Sequence, residues 1–234
     1  MLDRSGQDRT FLASYLYYVG MLTLAGESPQ LRLRLEPPNL VVRKLYVDEI
    51  QRFLLPEGAD RGSAEAAALK LLAEGEIEPL VRFVEDKVFR VFGVRDYLWM
   101  DEHALKMAFL VLLFHDVNYV VHSETELDRG YADLCLLRRP DRRAPALHDV
   151  LFEFKYLKLG EIGRSGRELR EMDRGDLERL PGVEDAFTEA ETQLRDYRGA
   201  LKRRYGGVLR LRAYAVVALG FEGLLARGVP IRLE

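Results

Sequence analysis

Leu151-Phe152-Glu153-Phe154-Lys155-Tyr156 is an apolar, aromatic run interrupted by two opposite charges. Side chains alternate along a strand, so Glu153 and Lys155 share one face while Phe152 and Phe154 share the other. An isolated Glu-x-Lys of this kind reads as an edge strand with a solvated face. The preceding strand-like run, Gly130-Tyr131-Ala132-Asp133-Leu134-Cys135-Leu136, changes that reading because it sets an acid among Ala, Leu and Cys. Asp is disfavoured in strand interiors and is seldom buried without a partner. Gly130 just before it marks a bend or bulge. With the two runs as adjacent antiparallel strands, Asp133 beside Glu153 places two carboxylates together, each raising the other's pKa unless a cation intervenes. A divalent metal resolves that conflict. Mg²⁺ prefers oxygen ligands, keeps several waters and contacts substrate phosphate. Lys155, next in the row, is placed to orient a water or to stabilise developing phosphate charge.

Outward from these strands, the apolar spacing predicts helices over 64–73, 76–92 (ended by Gly93) and 101–114, and then a long amphipathic helix over 185–205 stopped by Gly206-Gly207. Strands are expected at 119–122, 131–137, 150–157 and, as the last element, 209–219. The glycine-bearing, charged stretch 160–182 reads as a mobile loop with some helix. The N-terminal region reads as a helix capped by Thr10 and ended by Gly20, strands at 21–25 and 31–35, and a helix over 40–54 capped by Asn39. That order is compatible with a winged-helix remnant. Pro56 to Ser63 reads as a linker, giving a mainly helical region 1–60 and a larger domain 61–234.

Asp133, nineteen intervening residues, then Glu153-Phe154-Lys155 resembles the signature of the PD-(D/E)XK nuclease superfamily. Ser123-Glu124-Thr125-Glu126, Glu153-Phe154-Lys155-Tyr156 and Ala190-Glu191-Thr192-Gln193-Leu194-Arg195-Asp196-Tyr197 are similar, more narrowly, to the nuclease-like C-terminal domain of bacterial AAA-ATPase-like proteins. So are Ser14 to Thr23 and Pro38 to Arg43 to the segment preceding it there. The resemblance implies an α/β, restriction-endonuclease-like αβββαβ core, a mixed central sheet flanked by helices, which is the order read from residue 101 onward. It implies that Asp133 and Glu153 bind Mg²⁺ or Mn²⁺, that Lys155 is the catalytic lysine, that Glu102 completes the metal site, and that Gln193 faces it from the second core helix. Tyr197 lies on the same helix face, at i+4 from Gln193. The family helix usually carries a Tyr-His pair after its Glu; here the equivalent stretch is Leu105-Lys106. Glu102, at a helix N-terminus, is also what macrodipole stabilisation alone predicts. The phosphate-loop pattern G-x-x-x-x-G-K-[ST] is absent from the sequence.

These readings give a metal-dependent nuclease acting on DNA, with a partner ATPase and a homodimer left open; the alternative is a catalytically inactive nuclease-fold module that binds nucleic acid or a partner ATPase. The net charge of −3 first argues against a nucleic-acid partner, but its distribution is uneven: residues 1–137 hold 15 basic and 22 acidic residues, and residues 138–212 hold 18 and 14. Of the 35 basic residues 28 are Arg, which suits bidentate phosphate contacts and equally a GC-rich genome. Arg164, Arg167 and Arg170 are candidates to grip a nucleic-acid backbone. His103, His115, His122 and His148 lack zinc-ligand spacing. One cysteine, Cys135, excludes an internal disulfide. The start of the chain does not read as a signal peptide and no apolar run reaches spanning length, so the expected setting is cytoplasmic with no membrane partner.

Overall fold

The computed structural model describes residues 9–28, 30–91, 101–114, 118–127, 130–142 and 146–230; the expected helix end at Gly93, and His115, lie outside them. The chain divides into two compact units, Met1–Ile50 and Gln51–Glu234. The first holds α1 (Arg9–Tyr18), the antiparallel strands β1 (Thr23–Glu27) and β2 (Leu33–Glu36), and α2 (Leu40–Leu54), whose last turn falls in the second unit. Asn39 caps α2, its side chain accepting from Val42 N–H at 3.0 Å. The strands start two residues later than their apolar pattern suggests. Register slips between Leu24 and Glu27, where Gly26 has φ 92°, a conformation that favours glycine.

In the second unit, α3 (Gly58–Glu74) begins inside the stretch that reads as a linker. Gly58, Asp60, Gly62 and Ser63 are poor helix formers, but Arg61 folds its guanidinium back onto the carbonyls of Leu55 and Pro56 at 2.7 and 2.8 Å, and Ala64, Ala67 and Leu71 are buried. Packing overrides propensity there. Next, α4 (Glu78–Phe83) widens into a π turn over Val84–Val88 and ends in a 3₁₀ turn at Phe89–Val91. After α5 (Glu102–Leu113) come β3 (Tyr119–Leu127), β4 (Gly130–Arg138) and β5 (Asp149–Leu157). The stretch expected as a mobile loop with some helix holds three short helices, α6 (Leu159–Ile162), α7 (Gly166–Glu171) and α8 (Arg174–Glu178). Each is pinned by one buried apolar side chain: Ile162, Leu169 and Leu177. α9 (Val183–Tyr205) and β6 (Leu211–Leu219) follow as expected, but β6 is not the last element: β7 (Gly223–Val229) pairs back onto it. The turn between them needs Gly220, with φ 57° and no room for a Cβ, which would meet Leu159 Cδ2 at 2.9 Å.

The five strands form one mixed sheet in the order β3-β4-β5-β6-β7, with β5 and β6 parallel and the other pairs antiparallel. On one face Leu151, Ala213, Ala215 and Val217 meet Phe187, Ala190, Leu194 and Leu201 of α9. On the other, Phe109 of α5 packs edge-on to Phe152 at 5.7 Å and Phe154 at 5.0 Å. Each such fully buried side chain stabilises the fold by about 1.5–3 kcal/mol. This is the restriction-endonuclease-like arrangement, a mixed sheet between helices, extended by β7. At the start of β5 a buried ion pair ties three strands together. Asp149 accepts from Arg138 Nε at 3.0 Å and Nη2 at 2.8 Å, and from the backbone N–H groups of Arg138 and Arg210, each at 2.8 Å. No helix among the described residues is long and apolar enough to cross a membrane.

Candidate active site

The β4–β5 ladder runs from Leu136↔Val150 to Leu134↔Phe152 and stops. One residue further on, Asp133 faces Glu153, and the strands exchange side-chain bonds in place of ladder bonds. Phe154 N–H donates to Asp133 Oδ2 at 2.9 Å, and the Asp133 backbone N–H donates to the Glu153 carboxylate. The alternation read from the sequence therefore holds, and the two acids meet where β4 parts from β5. Asp133 is partly buried and Glu153 is only 3% exposed.

Two helices supply the remaining groups. In α5, Asp101 caps the N-terminus by accepting from His103 and Ala104 N–H at 2.9 and 3.2 Å. The first turn carries Glu102 and the next carries Lys106, whose ammonium is 3.7 Å from Asp133 Oδ1. From α9, Glu189, Gln193 and Tyr197 lie at i, i+4 and i+8 and line one helix face. Glu189 pairs with Lys155 Nζ at 2.9 Å, and the same ammonium is 3.8 Å from Glu153 Oε1. Tyr197 is hydrogen-bonded to the Glu153 carboxylate. Among the described residues, two buried oxygens are left without a hydrogen-bond partner, Glu153 Oε2 and Gln193 Oε1.

The electrostatics follow from this crowding. Burial, followed by the Asp133 charge, pushes the Glu153 carboxyl up to about 8, against the opposing pull of Lys155. Glu102, half-buried, is raised by the same two causes, with Lys155 and Lys106 opposing. For Lys155, burial favours the neutral amine. The hydrogen bond it donates to Glu189 and the charges of Glu153, Glu189 and Glu102 outweigh it, so its pKa rises and the ammonium persists.

Asp133, Glu153 and Lys155 are thus brought together, with Glu102 coupled to them through charge, and Gln193 lies on α9 between Glu189 and Tyr197, which reach Lys155 and Glu153. Among the described residues no three His, Cys, Asp or Glu side chains are close enough to hold a metal by themselves. The donors present are the two strand carboxylates and the amide oxygen of Gln193. A buried carboxylate oxygen and a buried amide oxygen, each without a partner among the described residues, are donors that suit an oxygen-preferring divalent ion completing its shell with water. Arg164, Arg167 and Arg170 each meet an acid: Glu168 at 3.4 Å, Glu171 at 3.1 Å, and Glu222. Sequence reasoning missed Lys106 and Glu189, although both sit at i±4 from residues it singled out. A cavity of about 460 Å³ lies elsewhere, between α3 and the end of α5, lined by Leu55, Arg61, Ala68, Leu72, Leu112 and Leu113. None of the site residues lines it.

No curated protein matches the chain significantly. The family model of the PD-(D/E)XK nuclease superfamily matches residues 100–225, a span that holds both strand acids, both lysines and Gln193. That match covers more than half of the chain, which therefore belongs to the PD-(D/E)XK nuclease superfamily.

Proposed function

We propose that the protein is a divalent-cation-dependent nuclease that hydrolyses DNA phosphodiester bonds, with Asp133 and Glu153 as the cation ligands and Lys155 as the catalytic lysine. The observation that supports this reading is that Glu153 Oε2, in the charged row on β5, and Gln193 Oε1 are buried oxygens without a hydrogen-bond partner among the described residues. When bound, Mg²⁺ or Mn²⁺ supplies neutralisation of the carboxylates and a lowered pKa for water. The chain's own residues do the rest. The Phe154 N–H fixes Asp133, so one carboxylate oxygen keeps a set direction. Lys155, held by Glu189, offers its ammonium to negative charge developing on a phosphate oxygen. Gln193 orients a water or a phosphate oxygen, and Tyr197 holds the Glu153 carboxyl. Arg164, Arg167 and Arg170 would exchange their carboxylate partners for backbone phosphates.

The test is cleavage of end-labelled single- and double-stranded DNA, with RNA alongside, in Mg²⁺ or Mn²⁺. Lys155→Ala is expected to lower the rate by roughly 10²–10³-fold, the scale of losing one transition-state charge contact. Identical behaviour of wild type and Lys155→Ala at catalytic concentrations refutes the enzymatic reading.

One observation favours a second reading, a nuclease-fold module that docks on a partner such as an ATPase. In the first unit Phe11, Tyr15, Tyr18, Val19, Leu31 and Val41 are all exposed. Large apolar side chains grouped on a small unit mark interaction surfaces. A folded protein that binds DNA without cleaving it under any cation would support the module.

A further inference from the structure

Lys106 is a lysine where its surroundings offer little water: the residue is 5% exposed, on the buried side of α5 between Leu105 and Ala108. A buried ammonium is rare unless paired, and the carboxylate 3.7 Å away belongs to Asp133. Glu102, one turn earlier on the same helix, also feels its charge. Among the described residues, and with every acid ionised, Glu102, Asp133, Glu153 and Glu189 carry four negative charges against the two positive charges of Lys106 and Lys155. Within that set Lys106 offsets one of the negative charges that a divalent ion would otherwise meet.

We propose that Lys106 is a built-in cation that competes with the divalent ion for Asp133, so that the site holds its metal weakly and exchanges it readily. This rests on the reading of Asp133 and Glu153 as cation ligands. In the metal-free chain the ammonium keeps Asp133 from standing as an uncompensated buried charge. When an ion enters, the same ammonium repels it at close range, where the effective dielectric is well below that of water. Lys106 is therefore a positioning residue: it acts on the ion through Asp133 and through the potential at the site.

Mn²⁺ binding to the full chain at constant pH and ionic strength, measured by calorimetry and by the free-ion spin-resonance signal, tests this without recourse to activity. Lys106→Met and Lys106→Gln are expected to bind Mn²⁺ about tenfold more tightly than wild type, the scale of removing one unit charge near a divalent ion at intermediate dielectric. Lys106→Arg, which keeps the charge, should bind as wild type does. Thermal unfolding should show a lower midpoint for metal-free Lys106→Met and a larger rise on adding Mn²⁺. If Lys106→Met does not fold, Lys106→Gln decides. Equal affinities in all four proteins, or weaker binding by the neutral variants, overturn the competition while leaving the metal site standing. Absence of Mn²⁺ binding from every protein, or undiminished binding by Asp133→Asn, overturns the metal reading and this inference together.

Discussion

Replacing Glu153 with Gln should flatten the pH dependence of stability. Glu153 is almost wholly buried, and its carboxyl is pushed from the usual acid range up to about 8 by burial and by Asp133. The folded state therefore holds a proton that the unfolded chain releases near pH 4.5. The stabilisation that results is fully present below about pH 4.5, and it is lost as pH rises through about 8. Between pH 6 and pH 8 the linkage relation gives a loss of about 2 kcal/mol for a carboxyl with these two values. For a chain of this size that is roughly 4–8 °C in the unfolding midpoint. The glutamine keeps the volume and an acceptor for Tyr197 but carries no titrating proton. The assay is thermal unfolding in metal-free buffer at pH 6, 7 and 8, for wild type and Glu153→Gln, with the difference between their slopes isolating this carboxyl. Millimolar Mn²⁺ at pH 8 should restore much of the lost stability in wild type and little in the variant, because the ion takes the place of the proton. If both proteins lose the same stability between pH 6 and pH 8, the assignment of a buried, proton-holding Glu153 is wrong.

Two further outcomes test the frame around the site. Arg138→Met leaves the Asp149 carboxylate, 1% exposed, without its guanidinium, and should cost about 3–5 kcal/mol in urea unfolding; a loss below about 1 kcal/mol would show that the backbone N–H groups of Arg138 and Arg210 suffice. Cys135, fully buried and pushed up to about 12 by burial, should resist thiol reagents at pH 8 in the native chain and react fully in denaturant; rapid native labelling would refute the burial.

Much of this site could be read in the sequence because it depends on strand parity. Glu153 and Lys155 share a face for the reason that any i, i+2 pair does, and Asp133 among Leu, Ala and Cys has no place in a strand without a role. What could not be read is how the acids meet. The ladder has to end at Leu134↔Phe152 for the Asp133 side chain to take the Phe154 N–H, and no local pattern encodes that stop. Lys106 was visible only as a departure from the family's Tyr-His pair, although a Glu four residues before a Lys on a helix is itself a signal. Glu189 could be reached by continuing the Gln193–Tyr197 face one turn back. The stretch 160–182 reads as a mobile loop with some helix because glycine and charge dominate its composition. Yet Ser165-x-x-Glu168 is a capping box, formed in the structure by Glu168 N–H donating to Ser165 Oγ and Ser165 N–H donating to Glu168. β7, with Gly223 and Gly228 and little alternation, depends on the neighbouring β6 for its identity.

The partial pairing of β4 with β5 also bears on when the site comes into being. β4 supports β5 only from Val150 to Phe152, whereas β6 runs alongside all of it, with Glu153 opposite Ala215 and Lys155 opposite Val217. A parallel partner so distant in sequence is a late arrival in folding, since a long stretch of chain must be closed before its contacts form. A nascent chain that has delivered every acid and both lysines, but not yet Leu211–Leu219, holds the ingredients of the site without the strand that aligns them. The alignment of the site then becomes a property of the finished sheet, set only once Leu211–Leu219 has joined β5.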